Sequence, residues 1–372
     1  MTGGGGAGYQ ERAMSTSRSP HPFSARPGAV SDFLSIVEAA CAVESPVADW
    51  TMGLLYAADR SIGTGRSGFA CHFRAKDDGT IAIDRSSTAI VGQAPEAVSA
   101  IFDGLTRAPP GWLSSYMKSA RSALFCGMTS EIDPRFDLRY RSDLARDGVH
   151  DGINIACMDL DRNGVLISLG VGEGTKLSPE TRQMLVRVAT HIVSAQRMRR
   201  RIAAGQAAAP GQREPAHAGE AVFSPDGKLL HAEGDARMAS ARRALQTAVR
   251  DVESARTALR GDPRRALSLW KVLVSARWTL VDHFDAQGTR YVVARDNAPR
   301  ASALSRLTPT ESCVVSYAAE GYSTKEIAYT LGIKDGTVRV LIMRAAHRCG
   351  VSNRRELFVL VSAQRPDAGA RS

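Results

Sequence analysis

Two short segments near the C-terminus restrict this chain more than anything before them. "LTPTESCVVSYAAEG" (307–321) sets Thr308 three residues ahead of Glu311, and "STKEIAYTLGI" (323–333) sets Ser323 three ahead of Glu326. Each spacing is a capping box: the hydroxyl accepts from the third helical N–H while the glutamate reaches back to the capping residue's own N–H, so each fixes a helix start. Pro309 suits a first helical position, where its missing N–H would have had no partner. Gly321 and Gly332 end the two helices, because glycine takes left-handed backbone without a Cβ penalty. Two short capped helices joined by a turn match the helix-turn-helix pattern, which delivers a recognition helix to the major groove of DNA.

The next stretch, "GIKDGTVRVLIMRAAHR" (332–348), places four large apolar residues, Val340 to Met343, between Arg339 and Arg344. A helix turns about 100° per residue, so four successive side chains cannot share a face. Helical spacing sends Val338, Leu341, Ile342, Ala345 and Cys349 inward and Arg339, Val340, Met343, Arg344 and His347 outward. The apolar run is therefore expected to be half core and half reading surface.

Residues 307–357 resemble the LuxR-type (GerE-like) DNA-binding domain, in which L-T-P-x-E, A-x-G-x-S-x-K-E-I-A, T-V-K/R and G-V-x-N-R-x-E-L recur in this order. The resemblance covers about a seventh of the chain. It implies a four-helix domain that binds duplex DNA as a homodimer and regulates transcription, commonly below a sensory domain. Carried over residue by residue, Lys325 and Thr337 support phosphate contact, while Arg339 and Val340 meet the groove, with Met343, Arg344 and His347 on the same outward face. Phosphate contacts fix register, whereas Arg339 can donate twice to a guanine edge and Val340 can pack on a thymine methyl. The chain departs from the family at Lys334, where serine is usual, which removes the expected N-cap of the third helix and leaves that role to Asp335, one residue late. It departs again at Leu341, Met343 and Cys349, where histidine, lysine and leucine are common; Met343 removes a basic contact.

The remaining sequence supplies a sensory region. At 372 residues there is room for two or three domains, and 44% apolar with 23% charged residues is ordinary for soluble globular protein. A net charge of +10 points to an acidic partner, nucleic acid first and an anionic membrane surface second. Residues 1–29 read as a disordered, weakly basic tail without the apolar run of a signal peptide. Residues 30–201 read as an α+β sensory domain. "VSDFLSIVEAACAV" carries Phe33, Ile36, Val37 and Ala40 on one helical stripe, and "WTMGLLYAADRSI", "PEAVSAIFDGL" and "GWLSSYMKSA" are further helices. Hairpins are expected at "FACHFRAKDDGTIAIDR", turning at Asp78-Gly79, and at "GINIACMDLDRNGVLISLGVG", turning at Asn163-Gly164. A closing helix begins with Ser178 as N-cap and Pro179 in its first turn, burying Met184, Leu185, Val188 and Ile192 on one face. In element order this region is similar to GAF-type domains.

Residues 202–218 are rich in Ala, Gly and Pro and read as a linker. Residues 219–298 form either a small α+β unit similar to PAS domains or a dimerisation segment, with hairpins at Asp226-Gly227 and Gln287-Gly288 around a charged helix near 236–259. A second linker spans 299–306, the helix-turn-helix domain 307–364, and a disordered tail 365–372. The expected fold is multidomain: an N-terminal α+β sensory region, GAF-like and followed by a small PAS-like unit, then an all-α four-helix helix-turn-helix domain.

Chemistry-bearing signals are sparse. The six cysteines lie far apart with no C-x-x-C pair and no histidine cluster at zinc spacing, which fits a reducing cytoplasm and no metal. No stretch approaches the ~20 apolar residues that span a bilayer. Asp77-Asp78 sits at a hairpin turn, not at the end of a parallel strand where a phosphoacceptor belongs, and Trp112 and Tyr116 read as core aromatics of an amphipathic helix. No Ser-His-Asp set or glycine-rich phosphate loop accompanies the eight scattered histidines, so no enzyme activity and no cofactor are expected. The expectation is a cytoplasmic, sequence-specific DNA-binding transcriptional regulator that couples an unidentified signal to promoter binding. Its expected partners are double-stranded DNA, a second copy of the chain, RNA polymerase and a small-molecule signal, with no membrane. The alternative is a signalling or scaffold protein whose degenerate helix-turn-helix mediates protein–protein interaction, motivated by Lys334, Leu341 and Met343.

Overall fold

Alternation along "SGFACHFRA" divides a strand between two cores: Phe69, Cys71 and Phe73 face one side, Ala70 and His72 the other. This strand, β1 (Ser67–Ala75), lies inside a five-stranded antiparallel sheet with β2 (Ile81–Val91), β3 (Leu124–Met128), β4 (Asp151–Met158) and β5 (Asn163–Val171), in the order β2-β1-β5-β4-β3. The structure is a computed structural model. It describes residues 32–62, 67–76, 80–107, 124–131, 148–159, 162–207, 221–275, 277–296 and 307–349, together with Arg354, Leu357, Phe358 and Val361. The two expected tails, the Asp77–Gly79 turn, the "GWLSSYMKSA" segment with Trp112 and Tyr116, and the stretches 208–220 and 297–306 lie outside them.

On one face of the sheet pack α2 (Val47–Ile62) and the long α4 (Pro179–Ala207), with α1 (Phe33–Cys41) packed against both helices; on the other face packs α3 (Pro95–Thr106), whose Val98, Phe102 and Leu105 meet Phe69, Phe73 and Phe125. The second sheet, β7-β6-β9-β8, is built from β6 (Ala221–Phe223), β7 (Leu229–Ala232), β8 (Trp278–Phe284) and β9 (Arg290–Asp296). Between its hairpins run α5 (Ala239–Arg256) and α6 (Pro263–Leu269). The expected α+β region with its antiparallel hairpins is present. The turns at Gly227 (φ 86°) and Gly288 (φ 81°) use the left-handed backbone that glycine favours.

The β4–β5 turn departs from expectation. Asn163 and Gly164 are already paired within β5, opposite Arg74 and Phe73. The chain reverses earlier: Arg162 N–H donates to the Asp159 carbonyl, and Asn163 N–H donates to the Asp159 carboxylate at 2.9 Å. Gly164 serves packing instead, since a Cβ there would come within 2.1 Å of the Phe73 ring.

The closing helix also exceeds its expected role. It starts as read, with Thr181 N–H donating to Ser178 Oγ, but runs to Ala207, into the stretch expected as linker. Every residue from Val188 to Met198 is buried, polar ones included. A helix buried on all sides needs a partner for each polar group. Ser194 meets Thr279 of β8, Gln196 donates to the Gly164 carbonyl, and His191 and Arg197 meet the C-terminal helices. One hydrophobic core consequently runs from Phe33 through the second sheet to Val361. Among the described residues no helix is long and apolar enough to cross a membrane.

Candidate DNA-binding surface

The C-terminal helices form where the capping boxes put them. Helix α7 (Pro309–Ala319) starts at Thr308, whose Oγ1 accepts from Glu311 N–H while Glu311 returns to Thr308 N–H at 2.9 Å. Helix α8 (Thr324–Leu331) starts at Ser323 with the same exchange with Glu326, and Gly332 closes it in left-handed backbone at φ 64°. Buried Glu311 also pairs with Arg348 at 3.1 Å, tying the start of α7 to the end of the third helix.

That third helix, α9 (Asp335–Arg348), divides as its spacing requires. Val338, Ile342 and Ala345 are buried, with Leu341 and Cys349 half-buried at the edge. Thr337, Arg339, Val340, Met343, Arg344 and His347 are exposed, as is Lys325 in the first turn of α8. Val340 and Met343 stand out at 39% and 67% exposure, a high value for apolar side chains. The helix start corrects one expectation: Lys334 occupies the N-cap without a side-chain bond, and Asp335 is the first helical residue, one position too late to cap. Its carboxylate instead accepts from Arg339 Nη2 at 2.8 Å, which orients the guanidinium along the helix.

The opposite side of this module faces the rest of the protein through tyrosines that sequence reading missed. Tyr317 and Tyr322, 1% and 2% exposed, pack edge to face at 5.1 Å. Arg197 Nη1 of α4 donates to the Tyr317 hydroxyl at 2.7 Å, Tyr322 donates to the Met158 carbonyl at 2.8 Å, and Tyr329 donates to the Leu267 carbonyl at 2.9 Å. The available signal was compositional: three of the chain's eight tyrosines fall between 317 and 329. Tyr329 has given its one proton to Leu267, so the 3.0 Å contact with His191 requires the imidazole to donate from Nε2.

A second directed chain leaves α4 at Gln196. Its amide donates to His72 Nδ1 at 3.4 Å, His72 Nε2 donates to Thr51 Oγ1 at 3.0 Å, and Thr51 donates to the Val47 carbonyl. Accepting at Nδ1 and donating from Nε2 places His72 as a neutral ring. Burial, with Arg199 adding and Asp84 opposing, pushes His72 down to about 4, and burial pushes His191 down to about 3. Since both lie below the 6.5 of a free imidazole, the unfolded chain binds these protons first, so their stabilisation is complete above pH 6.5 and drains as pH falls. We expect unfolding free energy to drop between pH 7 and 5 by up to about 1.4 kcal/mol per pH unit for each histidine. Urea titrations across this range check it, and His72→Gln should roughly halve the slope; a flat profile above pH 5 contradicts the assignment.

Three amphipathic or capped helices, two buried faces and one exposed basic face define a helix-turn-helix module. Residues 305–361 match the family model described as bacterial regulatory proteins, luxR family (GerE). No curated protein matches the chain. Among solved structures, similarity extends to Escherichia coli SdiA, at 9% identity over 86% of this chain and 92% of that one with a TM-score of 0.29. It extends also to SdiA in complex with octanoyl-rac-glycerol, at 10% identity over 90% and 96% with a TM-score of 0.31. Likeness at that level carries no argument about fold or ligand. All six cysteines are free thiols, and among the described residues no group of three or more His, Cys, Asp or Glu is placed to hold a metal.

Proposed function

We propose that this protein is a transcriptional regulator that binds duplex DNA sequence-specifically, as a dimer, and couples that binding to a signal sensed by its N-terminal region. The observation that carries the reading is the exposed face of α9 within a GerE domain: Arg339, Val340, Met343, Arg344 and His347 are outward while Val338, Ile342 and Ala345 hold the helix in place. Lys325 and Thr337, each in a helix's first turn, sit where N–H groups and positive charge favour phosphate. Arg339 reads a guanine edge, and Val340 and Met343 offer apolar contact to thymine methyls. Coupling runs through α4, which lines the sensory core and also holds Tyr317 and Tyr329. A signal acts here by favouring one arrangement of α4 against the C-terminal helices.

Selection from random duplexes with the full-length chain tests the reading. The expected product is an enriched motif in two half-sites about one helical turn apart, with binding that weakens steeply as salt rises. The exposed Val340 and Met343 also suit the alternative of a protein-docking helix. No enriched motif and no salt-sensitive binding would favour that alternative and exclude ours.

A further inference from the structure

On the α4 side of the first sheet, between the β1–β2 edge and the last turns of α4, lies an open cavity of about 500 Å³, within the range of small-molecule sites. Its chemistry is set by His72, Arg74, Asp84, Gln196, Arg199 and Arg200. The charges differ in how fully they are already matched. Asp84 accepts from Ser86 N–H at 3.0 Å and from the Ser86 and Ser87 hydroxyls at 2.6 and 2.7 Å, and Arg200 pairs with buried Asp159 at 2.7 Å.

Arg199 is different. It is half-buried, and Nη1 donates to the Val43 carbonyl at 2.8 Å and to the Ala42 carbonyl at 3.4 Å, while the guanidinium lies 4.9 Å from the Trp50 ring centre. Carbonyls and a ring face are its partners; among the described residues no carboxylate meets it, and Nε and Nη2 carry no hydrogen bond. Burial without a counter-charge pushes its pKa down to about 10. Arg74, exposed on β1 at the same cavity, likewise has no carboxylate partner among the described residues. A desolvated guanidinium with spare donors binds an oxyanion through two parallel hydrogen bonds more strongly than a neutral group can. His72, neutral as placed, adds no competing charge.

We propose that this cavity is a binding site for a small organic anion, whose carboxylate or phosphate group is held by Arg199 and Arg74. Arg199 adjoins Arg197 by two residues on α4, so an anion that draws Arg199 away from the Ala42 and Val43 carbonyls acts on the helix that holds Tyr317. That makes the bound anion the signal, a step that rests on the regulator reading; the binding itself does not.

Isothermal titration of the full-length protein with inorganic phosphate and with succinate, at ionic strength matched by chloride and with succinamide as the uncharged control, tests it. Saturable binding of either anion with none of succinamide is expected, and the anion that binds tells phosphate from carboxylate. Arg199→Lys keeps the charge but loses the fork, and Arg74→Gln changes an exposed strand residue; each should weaken binding tenfold or more. No saturable binding of either anion, or unchanged affinity in both variants, overturns the proposal. Anion binding without any DNA binding leaves the site and removes the regulator reading, whereas DNA binding without anion binding does the reverse.

Discussion

Tyr317→Ala is expected to lower the unfolding free energy by about 3–5 kcal/mol, the range for truncating a large buried aromatic. The ring is 1% exposed, packs against Tyr322, and lies 5.4 Å under the Arg197 guanidinium, so truncation removes packing on two sides. The more informative change is Tyr317→Phe. It keeps the ring and deletes the hydroxyl that accepts from Arg197, whose Nη2 is already buried without a partner. Loss of a hydrogen bond to a buried charge should cost about 1.5–3 kcal/mol. Adding Arg197→Met should recover much of that loss, because replacing both members of a buried polar pair by apolar groups is often close to neutral. A urea-denaturation double-mutant cycle measures the coupling. If Tyr317→Phe alone stays within about 0.5 kcal/mol of the parent, the range of an ordinary surface change, this bond does not hold the C-terminal helices to α4.

The second large effect belongs to DNA. Arg339→Ala should cost about 1–3 kcal/mol at the selected site and little on random duplex, because a bidentate guanine contact discriminates between bases and does not merely attract phosphate. In the free protein Arg339 is 70% exposed and paired with Asp335, but an exposed i,i+4 pair is worth about 0.3–0.5 kcal/mol. On the proposed reading, a base edge is therefore expected to outcompete Asp335. Lys325→Ala should instead weaken binding to all sequences alike and reduce the salt slope by about one. Fluorescence anisotropy on the selected duplex and on a scrambled one at several salt concentrations separates the two. Equal losses on both duplexes for Arg339→Ala would assign it to the backbone.

How much of this was legible beforehand follows the range of the interactions involved. Both capping boxes and the Gly332 stop are bonds between residues three or four apart, and they formed as read. The division of α9 into inner and outer faces needs helical spacing and nothing else, and Val338, Ile342 and Ala345 are buried as that spacing requires. Asp335 was misread because a cap depends on where the first helical turn closes, and a one-residue shift converts a cap into an ion-pair partner for Arg339. Gly164 carried a good turn signal in Asn-Gly, yet its position was decided by the Phe73 ring across the sheet. Period and propensity cannot anticipate a neighbour that is distant in sequence.

By itself, then, the sequence determined the starts of α7 and α8, the stop at Gly332 and the residues that α9 turns outward, all set by local hydrogen bonds and the 3.6-residue repeat. Only the tertiary structure decided that residues 188–198 of α4 are buried on every side and that Tyr317, Tyr322 and Tyr329 bind this helix and its neighbours. Only the tertiary structure, too, left Arg199 at the edge of a cavity with no counter-charge among the described residues. Tyr322 meets Met158 across 164 positions, and Arg197 meets Tyr317 across 120. A buried hydroxyl or guanidinium must find some partner, but which one depends on packing that no local pattern encodes.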